Sequence, residues 1–384
     1  MEVNVFVNLH PIMNRLLLYI FFFTCGIKGW AQSDSVYFNN NFVEGITKSE
    51  LPKVSDLFLL PPNNKILIAF DSTYLNYLDE NLNSIWKKNI YSQISASPVN
   101  DDNFFVIGTA DGDIILIDEK TGMQDQSFGI GDSISRGISL FNYEGRKELV
   151  FPKMSDSKSA LLIGNKSGKI VCYDLETLQE YWRTNFSSSP IKSPMKLYNN
   201  KLFFTNSEGY LNCVDLHNGL LIWRWKETET SSFDGSEILI HKKDVFVVGE
   251  NGTIYAIDIS LGRLSWKTSN IKFQSRISFT FDFKFVLAQA TNGRIYWIDP
   301  ATGKYFTSIK SNYVLNDPTS SILSTKNFLL YTDKTKMIFV DSKKKEFEIF
   351  SSEADIIKYG LMHESKIYLI DAYGNLFFIN LREL

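Results

Sequence analysis

Cysteine is scarce in this chain of 384 residues, which contains three copies of it. Cys25 lies in the N-terminal segment, and Cys172 and Cys213 occupy equivalent points of two neighbouring sequence repeats, described below. A disulfide requires Cα atoms within about 7 Å of each other, and equivalent points of neighbouring repeats usually lie further apart. We therefore interpret Cys172 and Cys213 as buried free thiols.

Histidine is equally scarce, and the sequence lacks the motifs of common hydrolases. The four copies are His10, His217, His241 and His363. His10 falls in the N-terminal segment, and the other three lie in turns of different repeats, so the set does not converge on one metal ion. Neither a G-x-S-x-G nor an H-E-x-x-H motif occurs. We predict no catalytic, cofactor-binding or metal-ligating residues.

Charge and long apolar runs are also limited. The net charge is −3 with both signs interspersed, which excludes the basic footprint of a nucleic-acid-binding protein. The N-terminal apolar run, Leu16–Cys25, follows Arg15 and precedes Gly29-Trp30-Ala31, a small-x-small cleavage site. We interpret residues 1–31 as an export signal, with Met13 as an alternative start. Phe22-Phe23-Thr24-Cys25 is a poor lipoprotein box, so cleavage is favoured over a lipid anchor at Cys25.

A recurring unit takes the place of these missing features. In Gly252–Trp266 a glycine precedes an alternating apolar strand, Asp258 ends the strand, and Gly262 lets the chain reverse before a second strand. Eight copies have the same spacing of six residues between opener and closer. They are Thr73–Asp79, Gly112–Asp118, Gly168–Asp174, Gly209–Asp215, Gly252–Asp258, Gly293–Asp299, Thr335–Asp341 and Gly374–Asn380.

The spacing of the copies predicts the fold. A period near forty residues with four strands per repeat is typical of a β-propeller. We predict an all-β, eight-bladed β-propeller of four-stranded antiparallel blades over residues 32–384. The N-terminal strand Val36–Phe42 is expected to complete the last blade, which lacks a fourth strand of its own. The long gap between Asp118 and Asp174 predicts an insertion in the connection from blade two to blade three, including Gly131–Gly145.

The repeats resemble the PQQ-like (quinoprotein-type) β-propeller family, with Gly209–Trp223 and Gly252–Trp266 among the best matches. Blades one and seven depart from the pattern, because threonine opens them. Some members of this family hold a quinone cofactor and a calcium ion, but this chain lacks their vicinal cysteine pair. Another member, an eight-bladed scaffold of the outer-membrane β-barrel assembly machinery, is similar in its blade count and its export signal.

The repeated side chains have structural interpretations. Because a carboxylate closes nearly every repeat, each aspartate is expected to cap its own turn and not to belong to a ring of catalytic groups. The tryptophans Trp86, Trp182, Trp223 and Trp266 recur at one blade position, which favours packing between blades over ligand stacking.

The resemblance implies a non-catalytic, exported scaffold, monomeric and without a transmembrane span after cleavage, that binds a protein partner in the periplasm or outside the cell. The interrupted repeat makes Arg136, Phe141 and Tyr143 the predicted partner-binding residues, since binding usually occurs on loops of a rigid frame. The alternative is a small-molecule or polysaccharide binder, or a residual quinoprotein-type enzyme, at the central channel. A channel mouth lined by non-repeating polar residues would favour that alternative.

Overall fold

The described part of the chain forms eight antiparallel sheets. The structure is a computed structural model, and the residues that it describes are 37–39, 41–49, 54–60, 65–70, 72–79, 82–101, 103–142, 159–185, 189–191, 193–228, 232–233, 236–312, 322–363 and 366–382. All of them belong to a compact unit, Tyr37–Leu384, separate from Met1–Val36. The predicted export signal therefore lies outside the described residues. Within the described residues no helix is long and apolar enough to cross a membrane.

Each sheet is one blade, and its four strands follow one another in sequence in blades one to seven. The strands of the first four blades are Val54–Leu60, Lys65–Phe70, Tyr74–Leu78 and Ser84–Asn89; Val99–Asn100, Phe104–Gly108, Asp113–Asp118 and Gln124–Gly129; Ile134–Asn142, Ser159–Asn165, Lys169–Asp174 and Glu180–Asn185; and Lys196–Tyr198, Lys201–Thr205, Leu211–Asp215 and Leu221–Trp225. The predicted eight-bladed propeller is confirmed.

Blades five to eight repeat the arrangement, and the last blade takes its fourth strand from the N-terminal side of the chain. Their strands are Leu239–His241, Asp244–Val248, Ile254–Asp258 and Leu264–Lys267; Phe273–Phe279, Val286–Ala290, Arg294–Ile298 and Tyr305–Lys310; Leu323–Ser324, Leu329–Asp333, Lys336–Val340 and Glu346–Ser351; and Ile356–His363, Lys366–Asp371, Leu376–Leu381 and Val43–Lys48.

The closing strand is not the predicted segment. Val43–Lys48 pairs with the third strand of blade eight, with Ile46 opposite Ile379, whereas Tyr37–Phe38 adds a fifth strand to the outer edge of blade seven. A turn at Asn39 separates the two strands, because its side-chain Oδ1 accepts a hydrogen bond from the amide of Asn41 at 3.0 Å. Closure by an N-terminal strand is confirmed, and its predicted position at Val36–Phe42 is wrong.

The predicted insertion also lies elsewhere. Ile134–Asn142, which covers most of the segment Gly131–Gly145, is the regular first strand of blade three and pairs with Ser159–Asn165. The additional length between the repeats therefore falls between these two strands, at residues 143–158, which are outside the described residues. Repeat spacing measures the length of an insertion but not its position within the repeat, and this explains the error.

The repeated aspartates cap their turns, as predicted. Asp258 Oδ1 accepts hydrogen bonds from the amides of Ser260 and Leu261, both at 2.8 Å. Asp215 and Asp299 accept the corresponding bonds from their own turns. The same device closes repeat after repeat because each third strand otherwise ends with unpaired backbone amides.

Tryptophans and glycines lock four neighbouring pairs of blades. Each indole Nε1–H on a fourth strand donates to a turn carbonyl of the next blade, namely Trp86 to Glu119 at 2.7 Å, Trp182 to Leu216 at 2.9 Å, Trp223 to Ile259 at 2.8 Å and Trp266 to Pro300 at 2.9 Å. The packing role predicted for these tryptophans is confirmed. We name these contacts the tryptophan locks.

Each lock requires glycine in the facing turn. A Cβ atom built on Gly122, Gly219, Gly262 or Gly303 would lie 2.4–2.7 Å from an indole carbon of the preceding blade, and all four glycines have φ between 62° and 69°. Where the preceding blade carries Gln126 or Thr307 in place of tryptophan, the facing turn carries Leu178 or Lys344, also at positive φ. The backbone conformation is therefore common to the blades, and the glycine is specific to the tryptophan.

Apolar side chains fill the spaces between blades. One cluster joins Phe203 and Cys213 of blade four to Val245 and Tyr255 of blade five, all fully buried. Polar contacts cross the same spaces, and one example is the hydrogen bond from Tyr77 of blade one to Glu119 of blade two at 3.0 Å.

Candidate functional site

The first strands of the blades enclose a cavity of about 740 Å³, with lining residues from all eight blades. When the sheet register is extended, one equivalent position in or just before the first strand of a blade lies at this channel, immediately before a buried residue. In the described residues this position is occupied by Asp56, Ser97, Gly137, Pro194, Glu237, Arg276 and Lys358. The lining does not repeat, which is the property that would favour a ligand site at the channel.

The charged side chains of the channel pair with one another across blade boundaries. Lys358 of blade eight forms an ion pair with Asp56 of blade one, and its Nζ lies 4.8 Å from the ring centroid of Phe58. Arg276 of blade six pairs with Glu237 of blade five at 3.2 Å. Because the four side chains are partly exposed to water, each pair contributes only about 0–1 kcal/mol to stability. The pairs give one half of the channel a charged wall.

The channel residues do not fit a quinone cofactor with its calcium ion. Calcium takes roughly six to eight oxygen ligands, and the two carboxylates, Asp56 and Glu237, come from opposite blades and are each paired with a cation. Across the residues that the structure describes, no group of three His, Cys, Asp or Glu side chains could hold a metal ion.

Two cysteines and one histidine of the described residues serve packing. Cys172 and Cys213 are free and buried, as predicted, and burial raises the pKa of the Cys213 thiol to about 12. Since the thiolate is the reactive form, neither thiol suits covalent chemistry. His241 ends the first strand of blade five, and its ring stacks on Phe283 and lies 5.4 Å from the ring of Phe279. Burial and the neighbouring Lys242 lower the pKa of His241.

Two of the three predicted partner-binding residues lie within the described residues, and both belong to one strand. Arg136 and Phe141 lie in the first strand of blade three, which is framework, and Tyr143 lies outside the described residues. Their role in partner binding stays a prediction.

Exposed apolar side chains occur on three neighbouring blades. They stand at the start of the fourth strands and in the turns before them, and we name them the apolar rim: Leu220, Leu221 and Ile222 of blade four, Leu261 and Leu264 of blade five, and Phe306 of blade six. Leu220 is 66% exposed, Leu261 64% and Phe306 70%. Exposed apolar side chains concentrated on one part of a protein surface are typical of a binding site.

Other blades carry polar residues at most of the corresponding places. At the positions of Leu220 and Leu221, blade three has Gln179 and Glu180, and blade seven has Lys345 and Glu346. The position of Ile222 is occupied there by Tyr181 and Phe347, which are half-buried. Isolated apolar residues occur at Ile85 of blade one and Met123 of blade two. The apolar rim is therefore a departure from the repeat, and a comparison of the eight copies at these positions would have revealed it from the sequence.

The fold and its locks define the class of the protein, an eight-bladed propeller built from quinoprotein-type repeats. A family described as outer membrane protein assembly factor BamB matches residues 150–346, about half of the chain. The chain belongs to this family.

Individual relatives are distant. The BamB of Kangiella koreensis is 22% identical over 163 residues, which cover 40% of this chain and 41% of the relative. That of Burkholderia pseudomallei is 22% identical over 200 residues, 49% of this chain and 48% of the relative. The chain thus matches less than half the length of these two relatives.

Solved structures share the fold. BamB from Moraxella catarrhalis superposes with a TM-score of 0.66 at 13% identity, over 90% of this chain and 100% of that one. Sqt1 of Saccharomyces cerevisiae superposes with a TM-score of 0.67 at 11% identity, over 87% and 98% of the two chains. At such identities the likeness concerns the architecture alone.

Proposed function

We propose that this chain is a non-catalytic scaffold of the bacterial envelope that binds protein partners during outer-membrane protein assembly. The apolar rim carries the proposal, because six exposed apolar side chains interrupt the repeat on three adjacent blades. Membership of the BamB family supports the assembly role, and the predicted signal over residues 1–31 supports export to the periplasm.

The energetics agree with a protein partner. Burying apolar surface stabilises a complex by about 25 cal/mol per Å², and a few central apolar side chains usually dominate the affinity. The locked blades hold the apolar rim on a rigid frame, so little conformational entropy is lost on binding.

Site-specific crosslinking in the native envelope tests the proposal. A photoreactive phenylalanine analogue would replace Leu221, Leu261 or Phe306, and the control would place it at Tyr91, an exposed residue in the connection from blade one to blade two. We expect covalent capture of an outer-membrane assembly component from the three rim positions and not from Tyr91. Equal capture from all four positions, or capture of no assembly component, would contradict the scaffold role.

The non-repeating channel favours a second candidate function, the binding of a small polar ligand on the propeller axis. Arg276 and Lys358 could exchange their carboxylate partners for an anionic group of such a ligand. A thermal-shift screen with sugars and carboxylates, repeated on Arg276→Gln, distinguishes the candidates. A ligand that stabilises the native protein and not the variant would support the channel, and the absence of any shift would leave the scaffold role alone.

A further inference from the structure

One face of the propeller carries two connections of each blade, those between the first and second strands and those between the third and fourth strands. We name it the turn face. We count each connection between a third and a fourth strand from its capping aspartate. In blades five to seven the connections of the turn face then hold nine cationic residues and four aspartates, a net charge of +5. They are Lys242, Lys243, Arg263, Lys284, Lys304, Lys326, Lys343, Lys344 and Lys345, with Asp258, Asp282, Asp299 and Asp341. We name this region the basic half.

The described connections of blades one to three have the opposite charge at the same face. They hold six acidic residues and one lysine, a net charge of −5, namely Asp79, Asp101, Asp118, Glu119, Asp174 and Glu176 with Lys120. Because the Debye length is about 8 Å at physiological ionic strength, a partner bound at the basic half experiences mainly the local positive charge. The turn face is therefore electrically divided, although the whole chain is nearly neutral.

The aspartates of the basic half are engaged within the chain, and most of its lysines are not held by them. Asp299 and Asp341 cap their own turns, and Asp282 pairs with Lys284 at 2.9 Å. Lys326 and Lys343 are exposed in the turns of blade seven. Cations on the surface of this region are thus available to an external anion.

A groove of about 380 Å³ lies within the basic half, between the turns of blades six and seven. Its apolar lining includes Phe281, Trp297 and Phe328. Its charged lining consists of Lys326 and Lys344 together with Asp282 and Asp341, the two aspartates that are engaged within the chain. Phe281 is 56% exposed. The groove has room for one or two apolar side chains, and cations are near its edge.

Lys344 is part of the groove wall and is held there. Its Nζ donates a hydrogen bond to Thr307 Oγ1 at 3.0 Å and lies 5.1 Å from the ring centroid of Trp297. This lysine occupies the turn position that is glycine in the tryptophan-locked blades. The groove therefore exists where a tryptophan lock is absent.

We propose that the basic half of the turn face binds an acidic peptide segment of a protein partner, with an apolar side chain of that segment seated in the groove beside Phe281. The inference rests on the proposed scaffold function and adds the chemistry of the partner. A concave groove suits a side chain better than a flat bilayer. An anionic bilayer lying on the turn face would also meet the acidic connections of blades one to three.

Fluorescence anisotropy with defined peptides tests the proposal on the mature protein. The probe is a labelled peptide of about twelve residues, which spans roughly 40 Å when extended, rich in Asp and Glu and with one central Phe. Two comparison peptides carry Ala in place of Phe, or Lys in place of the acidic residues. We expect binding of the acidic aromatic peptide, weakening as NaCl rises, and weaker or no binding of the other two.

Matched variants locate the site. Lys326→Glu combined with Lys343→Glu should weaken binding about tenfold, the effect of roughly 1.4 kcal/mol. Phe281→Ala should weaken it about fivefold to tenfold, within the range of a truncated interface aromatic. Lys120→Glu reverses an exposed lysine on the acidic side of the same face, and Tyr91→Ala removes an exposed aromatic elsewhere. Both controls should bind the peptide like the native protein.

Several outcomes would overturn the proposal. They are equal binding of the basic peptide, unchanged binding by the Lys326/Lys343 variant, and no binding of the acidic peptide at millimolar concentration. Binding to phosphatidylglycerol vesicles without binding to the peptide would assign the surface to lipid. If rim crosslinking captures an assembly component while these variants leave that capture unchanged, the scaffold role stands and the acidic-segment site is wrong.

Discussion

Gly262→Ala gives the sharpest test of the tryptophan locks. The added Cβ would lie 2.5 Å from Trp223 Cγ, and residue 262 would keep a φ of 62°. The left-handed backbone costs an alanine about 1–2 kcal/mol, and overpacking against the indole costs about 1–3 kcal/mol. Displacing the indole also lengthens the 2.8 Å bond from Trp223 to Ile259, which is worth about 1 kcal/mol. We expect a total destabilisation of about 3–6 kcal/mol.

The matched control is Gly293→Ala. Gly293 has a φ of 75°, and no atom lies within 4 Å of a Cβ built there, so this variant keeps the backbone cost of about 1–2 kcal/mol and lacks the clash. Both variants would be unfolded in urea and followed by far-ultraviolet circular dichroism. Equal losses of stability in the two variants would refute the argument that glycine is required by the indole and not only by the turn.

Three further predictions concern closure, thiols and pH. A deletion of all residues up to Lys48 should prevent stable folding, because the last blade then exposes an unpaired edge. A deletion of all residues up to Phe38 leaves Val43–Lys48 in place and should lower the melting temperature only modestly. Equal losses for the two deletions in calorimetry would contradict this prediction. Cys172 and Cys213 should resist Ellman's reagent at pH 8 in the native protein and react with it in urea, since burial raises the pKa of both thiols. Fast reaction of the native protein with the reagent would contradict this prediction. Burial, and then the hydrogen bond to Glu119, raise the pKa of Tyr77 from 10.0 to about 12. The contribution of the raised pKa to stability is therefore complete below pH 10 and is lost as the pH rises towards 12. In urea unfolding, Tyr77→Phe should reduce the fall of the unfolding free energy over this pH range, and an unchanged fall would contradict the prediction.

The architecture follows from the sequence because its determinants are local. An aspartate that caps its own turn, such as Asp258, and a tryptophan at a fixed offset both leave a period in the chain that needs no tertiary information. The predicted position of the closing strand is wrong because apolar residues suited to a strand occur on both sides of Asn39, in Tyr37–Phe38 and in Val43–Lys48. Only the pairing partners, blade seven for one and blade eight for the other, distinguish them.

The surfaces follow from the sequence only in part. The apolar rim departs from the repeat at positions that can be compared copy by copy, so Leu221 and Leu264 were open to detection. The groove was not, because Phe281 and Phe328 belong to turns of different blades that approach each other only in the folded ring. The interrupted repeat predicts partner binding at Arg136 and Phe141, which lie in the strand beside the insertion, and this role stays a prediction.

Ring closure has a consequence for how this chain is made. The strand Val43–Lys48 is synthesised before blades one to eight, yet its pairing partner Leu376–Leu381 is the last described strand. An emerging chain can therefore assemble its blades one after another but must keep that early strand unpaired until Leu376–Leu381 has been synthesised. Contacts of such sequence separation form slowly, so export in an unfolded state would let both partners arrive in the destination compartment before the ring is sealed.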